Sequence, residues 1–206
     1  MKFLYSLIFC LGAYSGFSQV PIVHRNDALS NMVARISTDS LEKYLDGLVS
    51  FGTRHSLSRD AADRGIEAAR QFVLEKFRSF EINSAGRLSS KIDYFDLVPD
   101  GRRIDEETRM GNVMATLKGN DPQDDRVFVV SAHLDSRVSD IMNRESNAPG
   151  ANDDGSGVVA LIEMVRIMSN RPFPATIVFV AVSGEEQGLL GATHLAKKAK
   201  NEQCRC

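Results

Sequence analysis

The chain has 206 residues, 43% hydrophobic and 25% charged, the balance of an ordinary globular protein with one domain, or most of one. A formal net charge of -2 with scattered lysines and arginines leaves no basic face for a phosphate backbone, which excludes a nucleic-acid partner.

Residues 1–18 differ from the rest. Lys2 gives a positive start, residues 3–13 are largely apolar, and the small Gly16 and Ser18 precede Gln19. That pattern is a secretory signal cleaved after Ser18, so a secreted or periplasmic location is expected. Its apolar core falls short of the roughly 20 residues that span a bilayer, so no stable membrane insertion is expected. Cys10 leaves with the signal, and a bond between Cys204 and Cys206, one residue apart, would close a strained ring, so no disulfide framework is expected.

Along residues 38–49 the apolar Leu41, Tyr44, Leu45 and Leu48 fall at helical spacing, until Phe51-Gly52-Thr53 breaks the pattern. Ser58 or Asp60 can cap a second helix, whose stripe is Ile66, Ala69, Phe72, Val73, Phe77 and Phe80. Strands are predicted over 92–98 and 112–118, with a turn at Gly119-Asn120-Asp121-Pro122. The continuous apolar run 126–132 predicts a strand buried on both faces, which delivers His133 and Asp135 at its end. A glycine-rich loop over 149–157 opens a helix over 158–169, which Pro172 and Pro174 end. A second buried strand over 175–183 delivers Glu185 and Glu186, and another helix follows over 189–200. This alternation predicts an α/β fold, a mixed and largely parallel sheet sandwiched by helices. In such sheets ligands bind beyond the carboxyl ends of the strands, where the acidic residues and His133 fall.

Three segments gather these groups: His133-Leu134-Asp135, Asn152-Asp153-Asp154-Gly155-Ser156-Gly157 and Glu185-Glu186. The carboxylates are read as having no basic residue nearby in sequence, and crowded at one sheet edge they repel one another unless a cation offsets them. Imidazole with carboxylate oxygen suits zinc. Residues two apart at a strand end share a side, so His133 can bind metal while Asp135 accepts the imidazole's other N–H and fixes its tautomer. Glu185 and Glu186 can divide ligation and proton transfer between them. Singly, the segments also read as a surface histidine, a helix N-cap and a solvated helix start. Together, each after a strand or loop, they favour one site.

The runs Ser131-Ala132-His133-Leu134-Asp135-Ser136, residues 149–157 and residues 182–191 resemble the co-catalytic zinc aminopeptidase family, which includes bacterial leucyl aminopeptidases and glutamate carboxypeptidase II. Thr53-Arg54-His55 and the helices around it are similar to the family's N-terminal part. The resemblance implies a zinc-exopeptidase (phosphorylase/hydrolase-like) fold, a peptide substrate and two zinc ions. It implies that His133 binds one zinc, Glu186 the other, and Asp153 bridges both. It also implies that Asp135 orients His133, that Glu185 is the general base, and that the Asp153–Asp154 peptide is cis. The chemistry implied is attack by a zinc-activated water on the scissile carbonyl, with Glu185 passing the water's proton to the leaving amine.

The family pattern continues with an aspartate ligand one strand later and a histidine ligand later still, neither within the 206 residues. Residues 19–206 are therefore expected to be an incomplete catalytic domain, a fragment inactive by itself, with each zinc keeping two of its ligands. His24, His55 and His194 are not expected to substitute. Two other readings stay open: a glutaminyl cyclase-like enzyme with a single zinc, and a transferrin-receptor-like protein-binding domain that has lost its metals.

Overall fold

A computed structural model describes residues 25–58 and 62–201. The leader at 1–18, His24, Asp60 and all three cysteines lie outside them. Among the described residues, no helix is long and apolar enough to cross a membrane.

A short helix α1 (Asp27–Val33) leads into α2 (Thr38–Ser50), where the Ser37 side chain accepts the Ser40 N–H and so caps the first turn. The next helix, α3 (Gly65–Ser79), lacks a cap from its own N-cap residue Arg64. Ser58 does that work across the loop, accepting the Ile66 N–H at 2.9 Å. The stripe read from the sequence is its buried face: Ile66, Ala69, Val73 and Phe77 are each almost fully covered.

Four strands follow, β1 (Leu88–Leu97), β2 (Thr108–Leu117), β3 (Val127–His133) and β4 (Thr176–Val182). They form one mixed sheet in the order β1-β2-β4-β3. β1 and β2 pair antiparallel, as do β2 and β4, while β3 and β4 are parallel. The parallel part of the expected sheet is thus, among the described strands, the β3–β4 pair. The crossover helix α4 (Ser156–Met168) makes that pair parallel, whereas the loop over 98–107 returns β2 directly along β1.

Alternation along the strands sorts the layers. Val113, Ala115 and Leu117 of β2, with Ile177, Phe179 and Ala181 of β4, join α3 and α4 in the main core. Met110 points the other way and packs with Leu190 at the start of α5 (Leu190–Asn201). Helices therefore lie on both faces, as expected. The expectation that β3 is buried on both faces fails: Phe128 and Val129 are each about half exposed, because β3 is the edge strand. β4, between two neighbours, is the strand that the apolar-run reading describes.

Candidate metal centre

The parallel pair β3–β4 ends with His133 opposite Val182, so the turns after these strands and the loop before α4 meet at one sheet edge. His133 points its Nδ1 at the backbone oxygen of Asp135, 3.1 Å away, with a carboxylate oxygen of Asp135 at 3.8 Å. A proton on Nδ1 satisfies both and leaves the Nε2 lone pair facing outward. Nε2 stands 3.0 Å from Oδ1 of Asp153, whose side chain is 77% exposed. Burial pulls the imidazole's pKa down, but the carboxylates of Asp135 and Asp154 outweigh it and leave the pKa raised.

A neutral imidazole nitrogen and a carboxylate oxygen repel at that distance unless a proton or a cation lies between them. Two ligands about 2.0–2.1 Å from a tetrahedral zinc stand roughly 3.3 Å apart. The observed spacing fits that geometry, so His133 and Asp153 suit one ion by donor type and by separation. Among the described residues, no group of three or more His, Cys, Asp or Glu side chains converges closely enough to hold a metal. Two ligands are what these residues supply.

The Asp153–Asp154 peptide is cis, the geometry that the family resemblance implied. Asp153 faces His133, and Asp154 turns inward, where its carboxylate accepts the N–H of His133 and the N–H of Gly157, both at 3.0 Å. One side chain thereby joins the end of β3 to the first turn of α4, which is the helix-cap reading made concrete. Position 157 has to be glycine for this approach, since a Cβ there would sit 2.3 Å from the Asp154 carboxylate.

Asp135 is fully buried. Beyond its contact with His133, its carboxylate accepts the backbone N–H groups of Glu185 and Glu186 and the Ser56 hydroxyl, at 3.0–3.2 Å. Burial pushes its pKa up, and those same two N–H groups pull it back. Asp135 therefore fixes where the Glu185-Glu186 turn sits relative to His133. Ser56 and Asp154 carry contacts that sequence reasoning did not assign; the order of the motifs hinted at the second and at nothing like the first.

Glu185 is partly exposed, and among the described residues its carboxylate has no hydrogen-bond partner. Glu186 does: Arg137 Nε donates to it at 2.7 Å, and Arg103 donates to its backbone oxygen at 2.8 Å. The structure thus brings His133 and Asp153 together and directs Glu186 to Arg137. The reading that no basic residue lies nearby in sequence is corrected by Arg137, two residues past Asp135 and paired with Glu186.

The other two described histidines are engaged elsewhere. His55 is buried, accepts the Leu57 N–H on Nδ1 and directs Nε2 at the oxygen of Ile141, and burial lowers its pKa. His194 on α5 contacts Asp93 and stacks on Phe95 with ring centroids 4.2 Å apart.

This fold is shared with solved aminopeptidase and glutaminyl cyclase structures. LapA aminopeptidase of Legionella pneumophila superposes with a TM-score of 0.67 at 18% identity, over 98% of this chain and 48% of that one. A glutaminyl cyclase of Fimbriiglobus ruber superposes at 0.65 with 19% identity, over 82% of this chain and 57% of that one. The class so defined is the zinc-exopeptidase-like α/β fold. Within it, residues 112–206 match Peptidase family M28. The sequence is 44% identical over 174 residues to a probable zinc metalloprotease of Pyricularia oryzae, covering 84% of this chain and 34% of that protein. It is 42% identical to another of Leptosphaeria maculans, covering 85% and 40%. The chain spans about a third to two fifths of the length of these curated relatives.

Proposed function

We propose that this chain carries part of the catalytic site of an M28 zinc aminopeptidase, with His133 and Asp153 as ligands of one ion. The observation that carries the reading is the 3.0 Å approach of the His133 Nε2 to the Asp153 carboxylate, with Nδ1 already committed to Asp135. A second ion, which the family resemblance implies, would be held by Asp153 and Glu186, with the Glu186 carboxylate divided between that ion and Arg137. The relatives' name supports zinc, and the family resemblance supports two ions and an aminopeptidase. The single-zinc and metal-free readings differ from this one in stoichiometry.

Zinc, when bound, supplies Lewis acidity toward water and the scissile carbonyl. The chain's own residues supply the rest. Glu185, held at its backbone by Asp135 and free at its carboxylate, takes a proton from the attacking water. As the water oxygen bonds to the carbonyl carbon and the C–N bond breaks, the same carboxylate gives that proton to the departing amine.

Two ligands hold an ion weakly, so the described residues alone are expected to bind zinc loosely and turn over little substrate. Calorimetric titration of metal-free protein with zinc tests the ligand assignment: His133→Ala should weaken binding at least tenfold, and unchanged binding would remove His133 from the site. In a polypeptide extended to the relatives' length, Glu185→Gln should retain zinc and lose about 10²- to 10⁴-fold in hydrolysis of an aminoacyl p-nitroanilide. Undiminished turnover would remove Glu185 from the role of base.

A further inference from the structure

We infer that Arg54 is the positioning residue that sets the distance between His133 and Asp153, an inference that rests on the metal reading above. Its guanidinium is wholly buried, and among the described residues it has no carboxylate in hydrogen-bond reach. It donates instead to four backbone carbonyls: Leu134 at 2.7 Å, Pro149 at 2.6 Å, Gly150 at 3.0 Å and, more weakly, Leu48 at 3.5 Å. Leu134 lies between His133 and Asp135, while Pro149 and Gly150 open the loop that presents Asp153. One planar, five-donor group therefore ties the two ligand-bearing segments together from beneath.

The backbone around Arg54 repeats the connection. Its N–H donates to the Ser136 hydroxyl at 3.1 Å, and that hydroxyl donates to the oxygen of Ala148 at 2.6 Å. Its carbonyl accepts the Ser136 N–H at 3.2 Å. At Gly150, where φ is +49°, a Cβ would lie 2.9 Å from a guanidinium nitrogen, so the loop approaches the arginine closely.

Burying a cation is costly even when it is hydrogen-bonded, and an apolar side chain would fill the space at lower cost. Burial pulls the Arg54 pKa down to about 10, while Asp135 and Asp154 act to hold it up. The group stays charged at neutral pH, under the two carboxylates that grip the Glu185-Glu186 turn and the His133 backbone. Its fork spans directions that the single ammonium of lysine does not match, so Arg54→Lys keeps the charge and loses the brace.

The test uses the full chain and two readouts. Hydrogen–deuterium exchange on metal-free protein should show Arg54→Lys accelerating exchange at least tenfold in residues 131–136 and 148–157, with α3 and β1–β2 unchanged. Cobalt titration should show affinity at least tenfold weaker and an altered visible absorption band. Exchange unchanged in those segments, or accelerated throughout the chain, would overturn the inference. Wild-type protein that binds no cobalt would instead sink the metal reading, and the exchange result alone would then decide the brace. Should Arg54→Lys not fold, Arg54→Met fills the space with an apolar stem that makes none of the four bonds. The inference then requires a folded protein with the same localised loosening; unchanged exchange in residues 131–136 and 148–157 would contradict it, and failure of both variants to fold, which would make Arg54 a support of the whole fold, would overturn it as well.

Discussion

At the scale of single residues, the site depends on carboxylates that grip backbone rather than metal. Asp135 illustrates the cost of losing one: Asp135→Ala leaves the partly buried N–H groups of Glu185 and Glu186 without this acceptor, and each such orphan costs about 1–3 kcal/mol. Chemical denaturation should show Asp135→Ala destabilised by roughly 3 kcal/mol; a loss below about 0.5 kcal/mol, the usual range for surface changes, would mean that the turn is held by other groups. The sequence made the His133–Asp135 pairing legible, since residues two apart share a side at a strand end. It could not show that the same carboxylate reaches residues 185 and 186, because that contact depends on β3 and β4 being neighbours. Arg54 was hidden for the same reason: its partners lie about 80 and 95 positions away.

At the scale of elements, periodicity located every helix that carries the core, and the apolar runs located β3 and β4. What it could not assign was which run lies at an edge, since burial on the second face is conferred by neighbours. Hence Phe128 and Val129 are half exposed, while Val180 is buried. β1 begins four residues before its expected start, at Leu88, because polar Ser89, Ser90 and Lys91 are tolerated on an outer strand. On the face away from α3, α5 is fastened to β1 by Asp93, which accepts from Lys198 at 2.6 Å and contacts His194 at 3.2 Å. Burial would raise the Asp93 pKa, but Lys198 and His194 more than offset it and hold the carboxyl below its ordinary range. A carboxyl with a depressed folded-state pKa stabilises the fold above its unfolded value and loses that contribution as pH falls through the folded one. Asp93→Asn should therefore destabilise by about 1 kcal/mol at pH 7, with the difference from wild type shrinking below about pH 4. A difference constant from pH 7 to pH 3 would contradict this account of the α5 contact.

At the scale of the whole molecule, one sheet edge gathers what the chain separates. The β3–β4 pair sets His133 beside the Glu185-Glu186 turn, the crossover into α4 brings Asp153 and Asp154 to the same rim, and the loop before α3 slides Arg54 beneath them. The sequence identified the groups and the edge on which they meet; it did not foresee that Glu186 is engaged by Arg137. Anomalous diffraction at the zinc absorption edge, from crystals of the protein grown with zinc, tests the central claim most directly. The account predicts a peak within bonding distance of both the His133 Nε2 and the Asp153 carboxylate. A map with zinc bound only at other residues, and none at that pair, would contradict it.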